Sequence, residues 1–139
     1  MFLLDTNVVS EFRNLRRNRS DPQFAAWAAT VDPASIFVST ITVHELEYGV
    51  LLLERRDPRQ AAPLRAWLLR EGPVLLGRLA LPVDEPVARL AAAFRVPDPK
   101  PIADSLIAAT AVIHGLTVVT RNAADFRFPG VAVLNPWLG

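Results

Sequence analysis

Five short apolar runs alternate along this chain with longer stretches of helical spacing, and that alternation narrows the choice of fold more than any other feature. The runs are residues 2–4, Ser35-Ile36-Phe37-Val38, Leu79-Ala80-Leu81, Thr117-Val118-Val119-Thr120 and Val131-Ala132-Val133-Leu134. Short strands with apolar residues on both faces suit a sheet covered on both sides. Helical patterns fall between them at about 7–13, 21–30, 41–56, 60–70, 85–94 and 102–114, punctuated by Asp21-Pro22, Asp57-Pro58 and Gly72-Pro73. Strand and helix in alternation predict an α/β chain with a short, mostly parallel sheet. In the last helix, Ile102, Leu106, Ala109 and Ile113 make the larger apolar stripe, while Asp104 shares another side with Ala108 and Ala111. Pro101, closing the stiff Pro97-Asp98-Pro99-Lys100-Pro101 loop, suits the start of that helix.

Four acidic residues stand where these elements change. Asp5 follows the first apolar run, Glu45 and Asp104 lie near helix starts, and Asp125 comes just after the fourth run. In open parallel sheets, ligands bind at the carboxyl edge of the strands, where Asp5 is delivered. Carboxylates gathered there would repel by about 3–4 kcal/mol per pair at ~4–6 Å and an effective dielectric near 20. A bound cation or proton uptake relieves that repulsion. Thr6, Asn7, Thr120 and Asn122 add hydroxyl and amide groups beside the first and last carboxylates. Oxygen donors of this kind suit magnesium or manganese, and magnesium takes part of its coordination from water and substrate phosphate. The expected chemistry is therefore that of a nuclease: a metal-activated water attacks a phosphodiester in line, one carboxylate orients it or takes its proton, and no covalent intermediate forms.

Each carboxylate also has a simpler reading. Asp5 suits a helix N-cap, Thr42-Val43-His44-Glu45 matches a capping box, Asp104 suits a helix dipole, and Asp125 suits the turn Arg121-Asn122-Ala123-Ala124-Asp125. His44 and His114 lie on predicted helices without a partnered motif, and Ser39, Thr40 and Ser105 lack a nucleophile elbow. Asp98 reads as a solvated loop residue and Glu11 as a residue of the pocket rim. The chain has no cysteine, which excludes disulfides, thiolate zinc sites and cysteine nucleophiles. At net charge +1 it is not a polycation, but fourteen of its fifteen basic residues are arginine. Arg13, Arg16, Arg17 and Arg19 follow the first carboxylate closely and are candidates for holding a nucleic-acid backbone. No stretch reaches the ~18–20 apolar residues of a membrane span, so a soluble, cytoplasmic protein is expected.

Four ordered segments together resemble PIN-domain ribonucleases of the VapC toxin family. They are Leu3-Leu4-Asp5-Thr6-Asn7-Val8-Val9-Ser10-Glu11, Ser39-Thr40-Ile41-Thr42-Val43-His44-Glu45-Leu46-Glu47-Tyr48-Gly49, Ile102-Ala103-Asp104-Ser105-Leu106-Ile107-Ala108-Ala109-Thr110-Ala111 and Val118-Val119-Thr120-Arg121-Asn122-Ala123-Ala124-Asp125-Phe126. The closing Val133-Leu134-Asn135-Pro136-Trp137 resembles the FitB-like branch. The resemblance implies a single PIN domain over 1–139 with a three-layer α/β/α fold. It implies a Mg2+- or Mn2+-dependent endoribonuclease, the toxin of a type II toxin–antitoxin module, that leaves 5′-phosphate and 3′-hydroxyl ends. Asp5, Glu45, Asp104 and Asp125 would be catalytic, with Asp5, Asp104 and Asp125 holding the metal and Thr6, Asn7, Thr120 and Asn122 in support. The implied partners are an RNA substrate and a small antitoxin whose carboxyl-terminal tail covers the pocket. A homodimer or toxin–antitoxin hetero-oligomer is implied too, with Phe24, Trp27, Tyr48 and Trp67 as candidate contact residues.

The main competing class is a PIN-like module that binds RNA or protein without cleaving. A phosphoacceptor receiver domain also gathers acids around magnesium, but it needs paired acids after the first strand and a late lysine. The one lysine here, Lys100, precedes a helix.

Overall fold

Alternate residues of each strand go to opposite faces of the sheet, and this period of two builds a core on both sides. The computed structural model describes residues 1–72 and 80–138. Leu79 of the predicted third strand and Pro73 of the Gly72-Pro73 break lie outside them. The strands are β1 (Phe2–Leu4), β2 (Ile36–Ser39), β3 (Ala80–Leu81), β4 (Thr117–Val119) and β5 (Val133–Leu134). They form one five-stranded sheet in the order β3-β2-β1-β4-β5, with every pairing parallel. Leu3, Phe37, Leu81, Val118 and Val133 join one apolar cluster, while Leu4, Val38, Ala80, Val119 and Leu134 join the other.

The helices are α1 (Thr6–Arg16), α2 (Pro22–Thr30), α3 (Thr40–Arg56), α4 (Pro58–Gly72), α5 (Glu85–Phe94) and α6 (Ile102–His114). Val8, Val9, Phe24 and Trp67 of α1, α2 and α4 cover the second face, and Ile107, Ala108 and Ala111 of α6 cover the first. The result is the three-layer α/β/α architecture with a parallel sheet. Helix starts follow their caps: Asp5 opens α1, Asp21 opens α2 with Pro22 after it, and Asp84 opens α5. Among the described residues, no helix is long and apolar enough to cross a membrane.

The apolar stripe expected on α6 is only partly buried. Ile102 and Ile113 are exposed, and the buried residues are Ser105, Ile107, Ala108, Ala109, Thr110 and Ala111. The cause is double coverage, because α6 packs on the sheet through Ala108 and Ala111 and on α5 through Ala109, which meets Val87 and Ala91. Small residues let both neighbours approach closely. Gly115, at φ 66°, then ends α6 in the left-handed conformation and turns the chain into β4.

Candidate active site at the carboxyl edge of the sheet

The strand order reverses direction at β1, so the carboxyl ends of β1 and β4 form the crevice where an open parallel sheet binds ligands. Asp5 and Thr120 lie there, each one residue beyond its strand. Asp5 N–H donates to the Val119 carbonyl at 2.9 Å, which fixes the two strand ends together. Asp5 is buried and fully engaged: its Oδ1 accepts from Thr6 N–H at 2.8 Å, and its Oδ2 accepts from the Thr120 hydroxyl at 2.8 Å and Asn7 Nδ2 at 3.3 Å. The fully buried Thr120 hydroxyl accepts in turn from Asn122 N–H at 3.0 Å, and Asn7 Oδ1 accepts from Arg121 N–H at 3.3 Å. Of the four supporting polar residues expected from the sequence, Thr6, Asn7 and Thr120 contact Asp5 directly, while Asn122 joins the network only through its backbone N–H. Asp5 also caps α1, so the cap and the pocket role coexist in one side chain.

Glu45 reaches the same place from α3. The capping box expected at Thr42-Val43-His44-Glu45 does not form, because α3 starts at Thr40 and its N-cap is Ser39, whose hydroxyl accepts from Ile41 N–H at 3.0 Å. Thr42 is therefore inside the helix, buried, 3.4 Å from Thr6 Oγ1. Glu45 Oε1 instead accepts the Thr6 hydroxyl at 2.6 Å. Thr6 joins two carboxylates, Asp5 through its backbone and Glu45 through its side chain.

Asp104 projects from the first turn of α6, and Asp125 sits in the 3-10 turn Ala123–Phe126 after β4. The two are coupled electrostatically to the rest. Asp104 is pushed up to about 6, by burial first and then by the charges of Asp5, Asp125 and Glu45. A position near a helix amino terminus works the other way, so desolvation and like charge outweigh the dipole. Asp5 is also raised, chiefly by burial and then by Glu45 and Asp125, against the lowering effect of Thr120 and Thr6. Asp5 and Asp104 each feel the charge of Glu45 and Asp125, but among the described residues no three of the four stand close enough to enclose an ion by themselves.

That arrangement fits a hard divalent cation completed by water and phosphate rather than a closed protein cage. The neighbouring donors are oxygens of carboxylate, hydroxyl and amide groups, and no cysteine is present.

Other expectations resolve differently. Glu11 does not reach the pocket rim: it is buried where α1 meets α2, accepting from Asn14 Nδ2 at 2.6 Å and Asp21 N–H at 3.4 Å. It lies about a third of a turn around the α1 axis from the Asp5 side. Asp98 is exposed, as expected for a loop residue. His44 is exposed and stacks on Tyr48 with centroids 6.1 Å apart, and His114 is exposed at the end of α6. Of the aromatic residues considered for contacts between chains, Phe24 and Trp67 are core, Trp27 is partly buried, and Tyr48 is exposed next to Leu51 and Leu52. Of the arginines, Arg13, Arg16 and Arg17 line one cavity at the end of α1. Arg19 is not among them, and Arg70 of α4, which proximity in sequence did not suggest, takes its place.

Comparison with known proteins gives a consistent result. Residues 2–132 match the PIN domain family. Toxin FitB of Neisseria gonorrhoeae is 40% identical over 99% of both chains, and VapC ribonuclease Y4jK of Sinorhizobium fredii is 37% identical over 99% of this chain and 98% of that one. Among solved structures, FitAB bound to an IR36 DNA fragment superposes with a TM-score of 0.84 at 36% identity, over 99% of this chain and 96% of that one.

Proposed function

The chain belongs to the PIN-domain family, within its FitB- and VapC-like toxins, and from this we propose that it is the ribonuclease toxin of a type II toxin–antitoxin module, acting as a divalent-metal-dependent endoribonuclease. The observation that carries the reading is the acidic edge itself, where Thr6 and Thr120 hold Asp5 and the Thr6 hydroxyl holds Glu45 at the carboxyl ends of β1 and β4.

Asp5, Asp104 and Asp125 would hold Mg2+ or Mn2+, which when bound supplies a lowered water pKa and neutralises charge on the phosphoryl oxygens. The chain's own residues do the positioning. Thr120 and Thr6 fix both oxygens of Asp5, so its orientation is set before substrate arrives. The Thr6 hydroxyl occupies Glu45 Oε1 and leaves Oε2 to accept a proton from the attacking water. That water forms the new bond to phosphorus as the bond to the 3′-oxygen breaks, giving 5′-phosphate and 3′-hydroxyl ends.

The similarity to FitB and to the FitAB complex supports an antitoxin partner. We place its carboxyl-terminal tail over the acidic edge, where a cationic side chain would find Asp5 and Glu45. The exposed Tyr48, Leu51 and Leu52 of α3 are the candidate surface for self-association, replacing the buried Phe24 and Trp67. We take the working compartment to be the cytoplasm, where an RNA target is met, and the 139 residues to act as one domain.

The test is cleavage of labelled total RNA by purified, antitoxin-free protein with magnesium or manganese, beside a chelator and Asp104→Asn. Discrete fragments lost in both controls are expected. A folded protein that binds metal and RNA but cuts nothing would favour a binding module.

A further inference from the structure

The groove beside the acidic edge ends in a cluster of guanidinium groups built from two helices. Arg13, Arg16 and Arg17 at the end of α1, with Arg70 of α4, line a cavity of about 380 Å³ together with Pro63 and Trp67. A second cavity, of about 350 Å³, shares Arg13 and Trp67 with the first and has Thr6 and Glu45 in its wall. The two make one path from the acidic pocket along α1 to the arginines. With ~1.5 Å of rise per residue, Arg13 and Arg17 stand ~10 and ~16 Å along the helix from Thr6, the reach of a short stretch of strand.

Charge in the cleft is not balanced. Arg16 is paired with the buried Glu71, and Arg70 Nε lies 3.9 Å from the same carboxylate oxygen. Among the described residues Arg13 and Arg17 form no ion pair, and Arg13 is held below its ordinary range by burial and by Arg17. The carboxyl ends of α1 and α4 offset part of the repulsion through their dipoles, which lets the cluster persist in the free protein.

We propose that this cleft binds the phosphodiester backbone of the RNA substrate, a short stretch of strand away from the phosphate that is cut. The proposal rests on the ribonuclease reading and names the binding element it needs. Four carboxylates at the acidic edge repel a polyanion, and a net charge of +1 gives the whole molecule almost no compensating attraction. Local guanidinium groups supply it, and their planar forks match phosphate oxygens. Continuity with the Thr6–Glu45 wall favours the polymer that occupies the acidic site over a separate acidic protein.

The experiment measures binding of a labelled 12-nucleotide oligoribonucleotide pool to Asp104→Asn protein across a salt series, with and without Arg13→Gln plus Arg17→Gln. Cleavage kinetics of total RNA are followed in the matched active background. The pair should weaken binding about tenfold at low salt and reduce the slope of log K against log salt by roughly 1.4, about 0.7 per lost phosphate contact. KM should rise with kcat unchanged, while Arg55→Gln, exposed at the end of α3, changes nothing. Arg17→Gln alone, at an exposed position, carries the same test at half the slope change if the pair folds poorly. Unchanged slope and KM in a protein that still cleaves would overturn the cleft and leave the ribonuclease reading standing. Arginine-dependent RNA binding by a protein that cuts nothing would support the cleft and sink that reading instead. Arginine-dependent binding of labelled hexaglutamate, with RNA binding unaffected, would overturn the proposal and assign the cleft to an acidic protein segment.

Discussion

Glu45 and Glu47 stand two residues apart on α3 and sit in opposite electrostatic surroundings. Glu47 shares Arg65 of α4 with Glu54: Arg65 Nη1 and Nη2 reach both Glu47 oxygens at 2.9 and 2.6 Å, and Nη2 reaches Glu54 Oε1 at 2.8 Å. Both carboxylates are held below their usual range, first by that hydrogen bond, and Arg65 is raised by the same contacts. Glu45, one helical face away, accepts a threonine hydroxyl and adds to the charge that raises Asp5 and Asp104, and among the described residues it forms no ion pair with an arginine. Helix α3 thus has cation partners available and uses them to fasten α4, not to quiet the acidic edge. Charge left uncompensated within reach of such partners is what the proposed metal site would require.

The contrast can be broken most sharply at Asp104. Asp104→Asn removes one charge at nearly constant shape, and cleavage should fall by roughly 10²–10⁴-fold in a single-turnover assay. Retained activity with unchanged metal dependence would remove Asp104 from the site. Next in size is Thr120→Val, which strips a fully buried hydroxyl from Asp5 and from Asn122 N–H. A loss of about 1–3 kcal/mol in denaturant unfolding is expected, with reduced cleavage because Asp5 loses its orientation.

A smaller effect has the opposite sign. Without metal, Asp104→Asn should stabilise the fold, because the wild-type carboxyl is raised to about 6 from 3.8. A raised acid favours the folded state only while protonated, so its penalty is absent below pH 3.8, builds with rising pH and is complete above about 6. The shift corresponds to ~3 kcal/mol at ~1.4 per unit, and solvent screening of a half-buried group reduces this to on the order of 1–2 kcal/mol. Thermal melts of both proteins at pH 7.5 and 4 should therefore differ at the first pH and converge at the second. Equal melts at both would mean the edge is not strained.

Glu11→Gln sharpens the comparison from a third position. It should cost about 1 kcal/mol by weakening the corner to Asn14 and Asp21, while kcat stays near wild type. The smallest effect belongs to the compensated region, where Arg65→Gln should lower the melting temperature slightly at low salt and not at all in high salt, with cleavage intact.

Much of this was legible because strand-end position and side-chain chemistry coincide. An apolar run that stops at Asp5, and another that runs into Thr120, places both at the sheet edge whatever the loops do. The parallel order followed from alternation alone. Glu45 was harder, since a Thr-x-x-Glu spacing serves a capping box and an inward-facing glutamate equally well, and the outcome turned on Ser39 starting α3 one turn earlier. Glu11 misled because nearness to Asp5 in sequence does not survive the rotation of a helix, and its partner Asp21 belongs to the next one. Arg70 was invisible beside Arg13 because only the packing of α4 against α1 brings them together.

Manganese titration by calorimetry at pH 6, in two buffers of different ionisation enthalpy, tests the cation site most directly. Asp104 lies near half-protonation there, so wild-type protein should show saturable binding that releases protons, and Asp104→Asn should bind more weakly without that release. No saturable binding, or the same isotherm and proton count for both proteins, would contradict a metal site at the acidic edge.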